Sequence, residues 1–83
     1  MTLFMDVHHL GNGVSADDVA TAHKADLQTQ GRYGVQYLRY WVSEPDGTVF
    51  CLVDAPDAAA ANLVHRDAHG LVADEIHPVQ EGA

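Results

Sequence analysis

The sequence is short of several things, and each shortage excludes something. It has a single cysteine, Cys51, so no internal disulfide framework can staple the fold. It has four Lys and Arg against twelve Asp and Glu, a net charge of −8. Such a surface repels nucleic acid and anionic membranes and attracts cations, so neither is expected as a partner. No apolar run is long enough to cross a bilayer, and the first residues lack a basic and then apolar export signal. The expected location is therefore cytoplasmic. There is no GxGxxG, Walker loop, HExxH or serine elbow. Length is modest too: residues 1–83 read as one domain. A domain of this size buries only about 60% of its unfolded surface, so a homodimer would offset the small core.

What the chain does have is histidine, six residues in 83. Two of them stand in Val64-His65-Arg66-Asp67-Ala68-His69-Gly70. There His65 and His69 are one helical turn apart, on the same side of a helix that a glycine ends.

The elements around them follow from periodicity and punctuation. Thr2 to His8 reads as a strand, with Leu3, Met5 and Val7 alternating onto one face and His9 following them; Phe4, Asp6 and His8 take the other. After Gly11-Asn12-Gly13, Ser15 is the N-cap of a helix expected to run to about Gln30 and stop at Gly31. Its apolar arc is Ala16, Val19, Ala20 and Leu27, with His23 inside the arc and Asp26 at its margin. Val35 to Val42 is a second strand, Glu44-Pro45-Asp46-Gly47 a hairpin turn, and Thr48 to Val53 a third strand, apolar on both faces and so central. Pro56-Asp57 starts a second helix whose buried stripe is Ala60, Ala61, Val64, Ala68 and Leu71. Residues 73–79 form a weaker fourth strand, and Pro78 makes it an edge.

The order βαββαβ specifies an α+β fold, the ferredoxin-like split βαβ sandwich. Right-handed crossovers give an antiparallel sheet of order 4-1-3-2. In that topology the end of strand one, the end of helix two and the start of strand four share a pole. His8 and His9 then face the region of His65 and His69, with Asp74, Glu75 and His77 beside them, and His23 lies one to two turns away.

Neutral imidazole is a good ligand for nickel, copper and zinc, and carboxylates complete octahedral or square-based sites. Asp6, Asp26, Asp67 and Glu75 are the candidate carboxylates, as ligands or as groups that orient the rings. Bland readings stand beside this one. An isolated HxxxH pair is more often a pair of solvated helix residues. His23 also reads as an inward histidine bonded to Asp26 or a strand carbonyl, and Cys51 as a small core hydrophobe.

Phe4-Met5-Asp6-Val7-His8-His9, Ala22-His23-Lys24-Ala25-Asp26-Leu27, Trp41, Val49-Phe50-Cys51-Leu52, Ala55-Pro56, and His65 to Gly70 with Asp74-Glu75 resemble the small bacterial nickel-binding proteins of ferredoxin-like fold. The resemblance spans nearly the whole chain. It implies a dimer of ferredoxin-like subunits with surface nickel sites that sequester or buffer nickel. His8, His9, His23, His65 and His69 match the family's histidine positions and are the expected metal ligands; Ala58–Ala61 and His77 depart from the pattern.

The first functional expectation is therefore a Ni(II)-binding protein rather than an enzyme, a homodimer whose open sheet face carries Phe4, Tyr37 or Trp41. Copper or zinc would compete in vitro. The alternative is a small dimeric αβ-barrel enzyme, a cofactor-independent monooxygenase or isomerase, with His23 as a buried base and Tyr37, Tyr40 and Trp41 lining a pocket. A cavity between sheet and helices favours the enzyme; a filled core favours the nickel reading. A plain interaction module with incidental histidines is a third reading.

Overall fold

A computed structural model describes residues 1–83. In chain order it contains β1 (Thr2–His9), α1 (Ala16–Thr29), β2 (Gln36–Ser43), β3 (Thr48–Ala55), α2 (Ala58–Ala68) and β4 (Glu75–Pro78). The four strands form one antiparallel sheet of order β2-β3-β1-β4, the expected order, and the architecture is the ferredoxin-like βαββαβ fold. No helix is long and apolar enough to cross a membrane.

Short-range chemistry sets the element ends. Ser15 Oγ accepts the Asp18 N–H at 3.1 Å, and Asp17 and Asp18 sit in the first turn, where the helix dipole favours anions. Asp57 caps α2 in the same way, accepting from the Ala60 N–H at 2.8 Å. The stop of α1 differs from expectation. The helix passes into a 3₁₀ turn over Gln30–Tyr33, and the left-handed residue is Gly34 (φ +66°), not Gly31. The hairpin closes as expected, with the Gly47 N–H donating to the Glu44 carbonyl. Gly47 also holds a long-range contact. It has φ +63°, and a Cβ there would fall 2.0 Å from the Gly11 carbonyl oxygen. Its own carbonyl accepts the Leu10 N–H at 2.7 Å, fastening the β2–β3 hairpin to the loop after β1.

The two sheet faces are reversed relative to the simplest reading of β1. Phe4, Asp6 and His8 face the helices, where Asp6 and His8 meet His65 of α2. Leu3, Met5 and Val7 alternate onto the other face, with Met5 opposite Leu52 and Val7 opposite Phe50. Tyr37 is likewise buried on the helix side, at 3% exposure, with its phenol oxygen against Asp6 and Ala61. Neither Phe4 nor Tyr37 is therefore on the open face. Trp41 is exposed, as expected, and its strand partner Phe50 is exposed with it.

The core is Phe4, Val35, Tyr37, Val49, Cys51, Val53 and Ala55 from the sheet side, with Val19 from α1 and Ala61 and Val64 from α2. Alanine at position 61 lets α2 approach the sheet closely. Leu27 and Leu71 are both 45% exposed, against expectation. In α1 the inward residues are Val19 and Asp26, with Ala22 and His23 half-buried. The arc is turned by one position because Asp26 is drawn inward by two histidines of α2 and its cap.

Candidate metal and ligand site

β1 brings Asp6 and His8 to the helix-facing side because residues two apart on a strand share a face. α1 brings His23 and Asp26 inward, three positions apart. α2 and its C-cap bring His65 and His69. These side chains meet between the helices and the sheet. His65, 1% exposed, lies at the centre: Nδ1 is 2.9 Å from Asp26 Oδ1 and Nε2 is 2.9 Å from Asp6 Oδ2. His69 Nε2 is 3.0 Å from the same Asp26 oxygen. Tyr37 donates its phenol proton to Asp6 Oδ2 at 2.9 Å, with the Ala61 carbonyl 3.1 Å away. His8 Nε2 lies 3.3 Å from His65 Nε2 and 3.2 Å from Asp6 Oδ1. The second distance is in ion-pair range but off the hydrogen-bond line, so Asp6 Oδ1 has no aligned donor. The Nδ1 atoms of His8 and His23 are buried without any partner.

The electrostatics follow from this packing. Burial opposes the charged form of His65, but the hydrogen bonds to Asp26 and Asp6 outweigh it and push the pKa up to about 9. Burial would raise the Asp6 carboxyl; His65 and His8 reverse this and hold it well below the usual carboxylate range. Asp26 is lowered in the same way, burial being outweighed by His65 and His69. At neutral pH His65 is therefore an imidazolium between two carboxylates. Burial, then the Asp6 charge, pushes the Tyr37 phenol and the Cys51 thiol upward, so both stay protonated. Burial lowers His23, with Asp26 opposing.

Two overlapping groups of donor atoms result. One atom each from Asp6, His8, Cys51 and His65 lie within 4.8 Å of one another, and so do atoms from Asp26, His65 and His69. Imidazole and carboxylate are a donor set that suits nickel, and the residues fit such an ion. An ion at His65 would have to displace the proton that the two aspartates hold there.

Of the expected ligands, the structure brings together His8, His65 and His69. His23 faces them across a pocket of about 340 Å³ between α1 and the sheet, which all four histidines line. His9 is elsewhere. It is on the open sheet face, with Nε2 2.7 Å from Glu75 Oε2, while His77 Nε2 is 3.2 Å from Glu75 Oε1. The family resemblance implied nickel sites at the surface; instead His8 and His65 are buried, and His69 is mostly covered. Sequence reasoning missed Tyr37 as a partner of Asp6, because nothing in an aromatic-rich strand says which ring faces inward.

Residues 4–79 match the family described as nickel responsive protein, SCO4226-like. The chain belongs to this family. Among solved structures it is similar to SCO4226 from Streptomyces coelicolor A3(2), with 40% identity over 98% of this chain and 99% of that one and a TM-score of 0.90. No curated protein matches it. In this SCO4226-like protein the imidazole–carboxylate cluster just described lies between the helices and the sheet.

Proposed function

We propose that this protein binds Ni(II) and serves to sequester or buffer it in the cytoplasm, as a homodimer. One observation carries the reading. Five of the six histidines, His8, His9, His65, His69 and His77, stand within 3.2 Å of a carboxylate oxygen. Each pairing is a mixed nitrogen–oxygen donor set of the kind nickel takes, and the family's name supports the choice of metal. His8, His65 and His69 with Asp6 and Asp26 form the inner set, which His23 borders. His9 with Glu75 and His77 forms a second, exposed set. The homodimer would bury the open face around Trp41 and Phe50.

The test is calorimetric titration with Ni(II) of the wild type, His69→Ala and His9→Ala. Saturable binding that His69→Ala weakens at least tenfold supports the inner set. Loss confined to His9→Ala moves the site to the exposed set. No saturable binding by the wild type overturns the proposal. At the inner set, binding at pH 7.5 also releases the His65 proton, so the apparent heat varies with the ionisation enthalpy of the buffer.

The pocket favours a second reading, a small enzyme in which His23 is the base. Its lowered pKa keeps it neutral and able to accept a proton at neutral pH. Turnover of a candidate substrate that His23→Gln abolishes would support it.

A further inference from the structure

Cys51 has no part in the nickel sets named above, yet the sheet places its thiol inside the buried cluster. It is the cross-strand partner of Asp6 in the β1–β3 register, and His8 follows Asp6 on the same face. From the other side α2 presents His65. One donor atom from each of Asp6, His8, Cys51 and His65 lies within 4.8 Å of the other three. All four residues are buried.

The polar atoms of this group are not satisfied by one another. Asp6 is 0% exposed, and its Oδ1 has no hydrogen-bond partner although His8 Nε2 is 3.2 Å away. His8 Nε2 is also 3.3 Å from His65 Nε2. Two ring nitrogens and a carboxylate oxygen thus converge, an arrangement that a cation at their centre satisfies. With bonds of about 2.0–2.3 Å, the edges of a tetrahedron of zinc ligands are about 3.3–3.7 Å, close to the spacings found. The supporting contacts are those of a metal site. His65 keeps Nδ1 on Asp26 at 2.9 Å, which turns Nε2 toward the centre, and Tyr37 holds Asp6 Oδ2, which leaves Oδ1 free. His8, Cys51 and His65 also line the pocket of about 340 Å³, so an ion has a path in.

We infer that Asp6 Oδ1, His8 Nε2, Cys51 Sγ and His65 Nε2 form a buried four-coordinate zinc site. A thiolate in a four-donor cage selects zinc over nickel, whose square-based or octahedral shell the cage does not supply. Coordination removes the thiol proton. As Zn²⁺ enters, one proton leaves Cys51 Sγ and one leaves His65 Nε2, both to solvent. The net charge of the cluster is unchanged, so no further charge is buried. The site does not rest on nickel binding; when zinc fills it, nickel is left the exposed set of His9, Glu75 and His77.

The experiment uses the full chain, stripped of metal by chelator and titrated with Co(II), an optical substitute for zinc, and then with Zn(II). One equivalent of Co(II) should bring a thiolate-to-cobalt charge-transfer band in the near ultraviolet and the intense visible bands of a four-coordinate ion, and Zn(II) should abolish both. Cys51→Ala should lose the charge-transfer band and bind zinc roughly tenfold or more weakly in competition with a chromophoric chelator; Cys51→Ser takes its place should alanine fail to fold. In the same competition the wild type should hold zinc more tightly than nickel. No charge-transfer band in the wild type, a band that persists in a folded Cys51 variant, unchanged zinc affinity in that variant, or tighter binding of nickel than of zinc each overturns the inference. Nickel binding itself is read by the calorimetry above, so failure of the zinc site and failure of the nickel proposal are told apart.

Discussion

Raising the pH should destabilise this protein well before any lysine titrates, and His65 is the reason. Its ionisation point rises from the ordinary 6.5 to about 9 in the folded state. The folded state therefore holds the proton more tightly than the unfolded chain does. The stabilisation is fully present below pH 6.5 and is lost as pH rises through about 9. At about 1.4 kcal/mol per pH unit, the span amounts to about 3 kcal/mol. His65 is 1% exposed, so solvent screening removes little of it. That is a large part of the roughly 5–15 kcal/mol typical of a small domain. At about 4–8 °C per kcal/mol for a chain of this size, the midpoint should fall by roughly 12–24 °C. The assay is urea and thermal unfolding in chelator at pH 6.5, 8 and 9.5, beside NMR titration of the His65 ring protons. Equal unfolding free energies at pH 6.5 and 9.5, or a His65 ring titrating near 6.5, would refute the reasoning. In His65→Gln the slope should vanish.

Other substitutions test separate parts of the structure. Tyr37→Phe removes a donor from the buried Asp6 carboxylate and should cost about 1–3 kcal/mol in urea unfolding; a loss below about 0.5 kcal/mol would show that another group satisfies Asp6. Gly47→Ala places a methyl against the Gly11 carbonyl in left-handed backbone, so it should cost more than about 1 kcal/mol by the same assay; a neutral result would mean the hairpin does not hold that loop. Phe50→Asp or Trp41→Asp on the open face should convert a dimer to a monomer in sedimentation; a wild type already monomeric would sink the proposed dimer.

Much of the fold was legible because its signals are local. Ser15, Asp57 and the Glu44–Gly47 turn each act through groups a few residues apart, and the right-handed crossover rule then fixed strand order. What misled was the assumption that the more apolar side of a strand faces the core. β1 alternates cleanly, but its inward side carries Asp6 and His8, which are tolerable there only because His65 answers them from α2. The same exchange turns α1, putting Asp26 inside and Leu27 outside. No periodicity can show this, since the cause lies 39 residues away. The convergence of His8, His65 and His69 could be read from topology. Their burial, and the pocket beside them, could not, because both depend on which side chains fill the space under α1.

The Asp6–His65–Asp26 network also bears on how the chain folds. Asp6 and His65 are 59 residues apart and Asp26 and His65 are 39 apart, on three different elements. Three charges cannot be taken from water singly without a large cost, so the network forms only when β1, α1 and α2 are already assembled. Interactions that form after the rate-limiting barrier leave the folding rate alone and govern the rate of escape from the native state. Breaking the network, for example with Asp26→Asn, should therefore steepen and raise unfolding far more than it slows refolding. The buried ions would then act as a latch, set last and decisive for how long the native state persists.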